Sequence, residues 1–345
     1  MSPTTPTPSF GEDANDALAP LFDIGYGPLY LSALRAVLVH GIPDLLADGP
    51  LPVDELARRS GTHAPSLKRV LRMLAMRGIF RVDEAETVHL TPSSELLRTG
   101  VPRSQRYTLL TLSDETFVRG AAGLEETLRT GVPGFEVAYG KPFFEHLQGD
   151  PATQRSFDLG MSAMSGRNEP QIAASYAFPA EGTVIDIAGG RGGLLRAVLT
   201  ANPGLHGVLF DQPQTVAHHV LDDEKLTGRW STESGDFFSA VPPGGDIYIL
   251  KHILHDWNDE DCLRILRTVR RAVEPGTKLL VIDAALPTGE EPHPGKALDV
   301  MMLALVPGRE RTEPEFAALL TAAGFTLNRV LPTPSFQSIV EAVAI

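Results

Sequence analysis

A single cysteine, Cys262, stands among 345 residues. An intrachain disulfide is therefore excluded, and so is a cysteine-based metal cluster. A reducing, cytoplasmic setting fits that usage. Basic charge is also short, with 30 Lys and Arg against 43 Asp and Glu and a formal net charge of -13. This argues against a nucleic-acid partner, because phosphate binding needs a local excess of cationic side chains. No apolar run reaches the length that spans a bilayer, and no basic segment followed by an apolar stretch opens the chain. The expectation is a chain neither membrane-spanning nor secreted. Clusters of His, Asp and Glu at metal-ligand spacing are missing, so no metal is expected, and no internal repeat is visible.

What is present is ordinary for a globular protein, 43% hydrophobic and 21% charged. The length suits two or three domains. Residues 1–16, rich in Pro, Thr and Ser, are expected as a disordered tail. Residues 17–100 read as helical. Leu29, Leu31, Leu34, Val37 and Leu38 recur at helix-like spacing, as do Leu56, Leu67, Val70, Leu71 and Leu74. Val53–Ala57, then Ser60-Gly61-Thr62 and a helix from Ser66, have helix-turn-helix rhythm. Phe80–Val82 and Val88–Leu90 read as the strands of a wing. The pattern is a winged helix, but residues 51–100 carry 8 Lys and Arg against 6 Asp and Glu. A dimerisation module is favoured over a DNA reader. Residues 101–178 form a second helical stretch with Phe135, Tyr139, Phe143, Phe144, Phe157, Met161 and Met164. Such side chains make core, and some of them are suited to wall a pocket for a flat ligand.

From residue 179 strands alternate with helices. The expected strands are Thr183–Ile187, Gly207–Phe210, Ile247–Lys251 and Lys278–Ile282, with helices from near Gly193, Gln214, Asp259 and Pro314. Two closing strands, Thr326–Val330 and Gln337–Val343, read as an edge hairpin. This alternation predicts a mostly parallel α/β sheet with helices on both faces.

The strongest motif is Val184-Ile185-Asp186-Ile187-Ala188-Gly189-Gly190-Arg191-Gly192-Gly193, with Asp211 nineteen residues past Gly192. A strand, a tight glycine turn, a helix start and an acid at the end of the next strand make a nucleotide site. Glycines admit close backbone approach to a ligand, and the carboxylate is spaced to take ribose hydroxyls. On its own this names an adenosine-containing cofactor and no more. Three later features bear on the choice. Gly235-Asp236-Phe237-Phe238 offers an acid beside aromatic rings. Lys251-His252-Ile253-Leu254-His255-Asp256-Trp257 ends an apolar strand and brings His255 to the mouth of the sheet. Glu310 precedes a helix whose start, Thr312 with Glu315, reads as a capping box.

Together with the winged-helix start and Phe157 with Met161, these elements occur in an order that resembles the S-adenosylmethionine-dependent O-methyltransferases of the caffeate, acetylserotonin and bacterial polyketide-tailoring type. The resemblance covers residues from about 20 to 345. It implies a Rossmann-like, doubly wound class I methyltransferase domain and a homodimer formed through the N-terminal domain. It further implies that Asp186, Ala188, Gly189, Gly190 and Gly192 hold the methionine part of the cofactor. Asp211 would hold the ribose, Asp236 and Phe237 would flank the adenine, and Lys251 and Ser165 would lie near the ligand. The pattern departs at Ala188, where the family usually has glycine. The added methyl is tolerated if φ there is negative and otherwise crowds the ligand.

By the same resemblance His255 is the base, steered by Asp283 and Glu310, with Asp in place of the more usual Glu at 283. Asp256, Phe157, Met161, Met164, Met301, Met302 and Val306 would line the acceptor site. Adaptable methionines suit a bulky aromatic such as a polyketide. The expected function is methyl transfer to a hydroxyl, most simply a phenol, of an aromatic secondary metabolite in antibiotic biosynthesis. One rival is an NAD(P)-dependent oxidoreductase, against which the third position of a Gly-x-Gly-x-x-Gly turn falls at Leu195. A second is a ligand-sensing transcriptional regulator, disfavoured by the small basic surplus. A third is a family member that uses S-adenosylmethionine in hydroxylation or decarboxylation. Such relatives tend to lack the histidine, so His255 favours methyl transfer.

Overall fold

The structure is a computed structural model that describes residues 13–165 and 168–345, and it divides into two compact units, residues 1–114 and 115–345. Most of the expected tail, residues 1–12, lies outside the described residues, while its last four residues already belong to helix α1 (Asp13–Gly25). The first unit continues with α2 (Gly27–Val39), α3 (Ile42–Leu45), β1 (Leu51–Pro52), α4 (Val53–Ser60), α5 (Ala64–Ala75), β2 (Phe80–Val82), β3 (Thr87–Leu90), α6 (Pro92–Glu95) and α7 (Arg106–Leu112). Helix α4 stops at Gly61, whose φ of 67° is a conformation that favours glycine. Val37, Ile42, Leu56, Leu71, Leu74, Phe80 and Val88 close one core around the helix-turn-helix and its wing. The wing is a three-stranded sheet ordered β1-β3-β2, one strand more than the sequence pattern shows. Leu21, Phe22 and Ile24 of α1, Tyr26 at the junction and Leu29 of α2 are exposed apolar side chains.

The second unit opens with short helices: α8 (Glu115–Ala122), α9 (Leu124–Thr130), α10 (Gly134–Tyr139), α11 (Phe143–Gln148), α12 (Pro151–Ser165) and α13 (Glu169–Ala174). Phe117, Phe135, Phe143 and Phe157 interlock here as an aromatic cluster. The alternating part follows, with β4 (Gly182–Ile187), α14 (Gly193–Ala201), β5 (Leu205–Asp211), α15 (Pro213–Val216), β6 (Trp230–Ser234), β7 (Ile247–Lys251), α16 (Asp259–Ala272), β8 (Lys278–Asp283), β9 (Ala285–Leu286), α17 (Pro294–Leu305), β10 (Arg311–Thr312), α18 (Glu313–Ala322), β11 (Phe325–Pro332) and β12 (Ser338–Ala344).

Seven of these strands form one sheet, ordered β11-β12-β8-β7-β4-β5-β6. The five from β8 to β6 run parallel, and the β11–β12 hairpin pairs antiparallel at the edge. Alternation within each strand supplies two cores. Ile185, Ile187, Tyr248, Leu250, Leu279 and Val281 face one way, against α16 and α18. Val184, Ile247, Ile249, Leu280 and Ile282 face the other, against α13 and α14. Burial on both faces is why these strands read as continuous apolar runs. Strand order reverses between β4 and β7, the place where open α/β sheets bind ligands beyond their carboxyl ends.

Candidate active site

Ala188, Asp211, Lys251 and Asp283 lie at the carboxyl ends of β4, β5, β7 and β8. The turn after β4 is held open by its backbone. Gly190 and Gly192 have φ of 61° and 82°, and Gly192 serves as N-cap of α14. Ala188 has φ of 52°, so the negative φ that would make its methyl harmless is not the conformation found. A left-handed L-residue costs roughly 1–2 kcal/mol, which the sheet and turn together must hold. The Gly190 N–H donates to Asp211 Oδ2 at 2.8 Å, and the Gln212 N–H to Oδ1 at 2.6 Å. The ribose candidate is thereby fixed against the turn, and burial pushes its carboxyl up.

Beneath the turn Asp186 is 1% exposed and neither carboxyl oxygen has a hydrogen-bond partner. Burial raises it to about 7, against the pull of Lys251. A Cβ on Gly189 would come within 2.5 Å of that carboxyl group, so this position has no room for a side chain. Lys251 Nζ is 3.2 Å from Glu169 Oε1. Sequence reasoning missed Glu169, which follows the aromatic helices and has no local signal. Asp236 is exposed and accepts from the Phe238 N–H and the Ser239 hydroxyl, while Gly235 N–H bonds to the Asp211 carbonyl. Phe237 packs against Phe238 and Trp257. The side chain of Ser165 lies outside those described.

The second half of the site gathers around His255, which is 7% exposed on a short 3₁₀ turn, Leu254–Asp256. Its Nδ1 is 2.7 Å from Glu310 Oε1, and an ionised carboxylate can only accept, so Nδ1 carries the proton. Glu310 is itself fixed, accepting the Ala284 N–H at 3.2 Å while its own N–H donates to Asp299 Oδ1 at 2.9 Å. Asp256 Oδ1 stands 3.5 Å from Nε2. Asp283, 0% exposed, makes no hydrogen bond through its carboxyl group and acts on His255 through space alone. Burial disfavours the imidazolium, but Asp256, Glu310 and Asp283 outweigh it and raise His255 to about 10. Burial in turn raises Asp256 to about 6 and Asp283 to about 7.

The turn is also gripped from below. Arg311, 1% exposed, donates to the carbonyls of Leu254 at 2.9 Å and Trp257 at 3.1 Å, and to Asp259 Oδ1 at 2.8 Å. Cys262 Sγ donates to the same Leu254 carbonyl at 3.1 Å. A Cβ on Gly308 would lie 1.9 Å from the His255 carbonyl oxygen, so the Gly308–Arg311 loop and the histidine turn are pressed together. Arg311 is legible in sequence as a member of the loop but not as its anchor. The expected capping box is present, Glu315 accepting from the Thr312 N–H at 2.8 Å. His252, with φ of 55°, stacks on His255 at 5.0 Å between ring centroids, and its Nε2 meets Gln337 Nε2.

Of the expected acceptor residues, Met302 and Val306 are buried in and just after α17, and Phe157, Met161, Met164 and Met301 are partly exposed. Among the described residues no group of His, Cys, Asp and Glu is arranged to hold a metal, and no helix is long and apolar enough to cross a membrane.

Comparison with known proteins agrees with this layout. Residues 122–326 match an O-methyltransferase domain and residues 26–100 an O-methyltransferase dimerisation domain. The chain is 42% identical over 304 residues to phenazine O-methyltransferase PhzM of Lysobacter antibioticus, covering 88% of this chain and 89% of that one. It is 37% identical over 319 residues to the mitomycin biosynthesis 6-O-methyltransferase of Streptomyces lavendulae, covering 90% and 89%. Its structure resembles that of CalO1, a methyltransferase in calicheamicin biosynthesis in its SAH-bound form, with a TM-score of 0.87, 39% identity and coverage of 97% and 100%. The parallel sheet, the glycine turn with its ribose acid, the histidine turn and these matches place the chain in the O-methyltransferase family, as a class I enzyme with an N-terminal dimerisation domain.

Proposed function

We propose that the chain methylates a phenolic hydroxyl of an aromatic secondary metabolite, with His255 as general base and S-adenosylmethionine as donor, working as a homodimer. The observation that carries this reading is the buried His255–Glu310 pair, 2.7 Å apart, at the carboxyl end of the strand beside the glycine turn. The residues fit the donor's chemistry. Three acids, Asp186, Glu169 and Asp211, face a single base, Lys251, an environment short of positive charge. When bound, the donor supplies an electrophilic methyl on a sulfonium, and the C–S bonding pair stays on sulfur.

The chain's own work is to hold and move a proton. A phenol has a pKa of about 10 and is a poor nucleophile at neutral pH. Asp256, Glu310 and Asp283 raise the proton affinity of His255, so the form with a bare Nε2, which gains population as pH rises, takes the proton from the phenol oxygen. Glu310 keeps the other proton on Nδ1 and stabilises the imidazolium as it forms. Phe157, Met161, Met164, Met301, Met302 and Val306 are assigned as the apolar walls that seat the ring system, and Asp256 as the polar group at its edge. The exposed apolar side chains of α1 and α2 are assigned to the dimer contact.

The test is His255→Ala. The variant should bind S-adenosylhomocysteine as the wild type does and lose roughly 10²–10⁴-fold in turnover of hydroxylated polycyclic aromatics screened by methyl mass shift. Turnover at the wild-type rate would overturn the assignment of the base.

A further inference from the structure

The Glu169–Lys251 pair is unexplained by the proton chemistry, and three observations show it to be more than a surface contact. Both side chains are largely withdrawn from solvent, at 14% and 11% exposure. Glu169 packs over the first residue of α14, where a Cβ on Gly193 would be 2.3 Å from its Oε2, so glycine at 193 is what leaves space for that carboxylate. Behind the pair lies Asp186, 1% exposed, both oxygens unpartnered, and in electrostatic contact with Glu169 and Lys251 alike. Two carboxylates thus share one lysine, and the one fully buried makes no close hydrogen bond, with only the Leu195 backbone N–H to draw on. A buried carboxylate without a close donor is costly. A cation that brings N–H groups to the glycine turn would serve both acids.

We propose that Glu169, with Asp186 behind it, receives the α-ammonium group of the cofactor's amino-acid end. This rests on the reading of the glycine turn as an S-adenosylmethionine site. An ion pair is the natural complement of a zwitterion. The ligand's ammonium faces Glu169 and Asp186, while its carboxylate faces Lys251 and the N-terminal amides of α14. The Glu169–Lys251 contact is then a placeholder, each charge taking a partner from the ligand as it binds. Glycine at 193 serves the anionic side chain of Glu169 as well as the ligand.

The experiment is calorimetric titration of the full-length protein with two probes. One is S-adenosylhomocysteine. The other is its deaminated analogue, which keeps the adenosine, thioether and carboxylate and has hydrogen in place of the ammonium. The wild type should bind the analogue more weakly by roughly tenfold to a hundredfold. Glu169→Gln should bind S-adenosylhomocysteine more weakly by a similar factor and bind the analogue as the wild type does. Glu169→Asp should fall between, its charge retained at shorter reach. Unchanged affinity of Glu169→Gln for S-adenosylhomocysteine, or an equal loss for both probes, overturns the proposal. Asp211→Asn separates this outcome from failure of the site itself, because it should weaken both probes equally. A wild type that binds neither probe would overturn the cofactor reading and this assignment with it.

Discussion

Replacing Glu310 with Gln removes one charge and very little volume, which makes it the sharpest probe of the buried acid–base cluster. The carboxylate sits 2.7 Å from His255 Nδ1, with both residues nearly excluded from water. Two unit charges about 4 Å apart at an effective dielectric of about 20 interact by about 4 kcal/mol. At 1.36 kcal/mol per unit, that is about 3 units of imidazole pKa. Asp256 and Asp283 remain and Gln still accepts a hydrogen bond, so a fall of about 2 units is the expected outcome. A second effect adds to it. Gln has one acceptor oxygen, and the Ala284 N–H competes for it. When Ala284 takes the oxygen, the Gln amide donates to Nδ1 and the ring proton moves to Nε2, the nitrogen that must be bare to accept one.

Compared above both pH breaks, where each histidine is unprotonated, a weaker base in the wrong tautomer should lose roughly 10²–10⁴-fold in kcat. S-adenosylhomocysteine affinity should be unchanged, because the Glu310 carboxylate bonds to His255 and the Ala284 N–H. The assay is methyl transfer followed by product chromatography across pH, beside calorimetric titration of the product nucleoside. The wild-type rise of kcat/KM with pH should extend upward, since His255 is raised to about 10, and in the variant the break should come about 2 units lower. The stability sign follows as well. A raised histidine stabilises the fold fully below about pH 6.5, and that contribution fades as pH climbs towards 10. The melting difference between wild type and variant should therefore be larger at pH 6 than near pH 10. A variant that keeps kcat within twofold, or whose pH break does not move, would refute the reasoning.

Two further outcomes are expected. Ala188→Gly relieves a left-handed alanine and should change thermal stability by no more than about 1 kcal/mol upward, strain relief of 1–2 being partly offset by chain entropy. A marked loss of stability would mean the methyl packs usefully. Arg311→Met removes the donor that satisfies the Leu254 and Trp257 carbonyls and should cost roughly 1–3 kcal/mol in denaturant unfolding. Turnover in the surviving folded protein should fall with little change in KM, and an unaltered midpoint would show that the turn does not depend on the guanidinium.

Legibility in the sequence followed burial. Strands β4, β7 and β8 were plain because both of their faces are covered. Strand β6 was missed because Ser231, Thr232, Glu233 and Ser234 are exposed on an edge, where no apolar period is needed. The capping box at Thr312 and the hairpin at the end are local and were read from spacing alone. The first compact unit ends at Asp114 and includes α7. The relation of Glu310 to His255 came from family resemblance, because 55 residues separate them. Glu169, Arg311 and the sign of φ at Ala188 carry no sequence mark, as each is settled by a tertiary contact or by backbone geometry. Asp283 was expected to steer the base and makes no hydrogen bond to it, acting only through its charge.

The lone thiol under the histidine turn gives the protein a built-in reporter. Cys262 is fully buried, its proton is held by the Leu254 carbonyl, and burial pushes it up to about 12, so the closed protein should be inert to thiol reagents. Labelling then requires an opening that frees Cys262 from the Leu254 and Trp257 carbonyls, and its rate reports how often that occurs. Because Cys262 is the only cysteine, the signal needs no engineering and no correction. An acceptor that docks against His255 should slow labelling by the factor its binding stabilises the closed turn. Candidate substrates are then ranked by their grip on the catalytic histidine before a single methyl group is transferred.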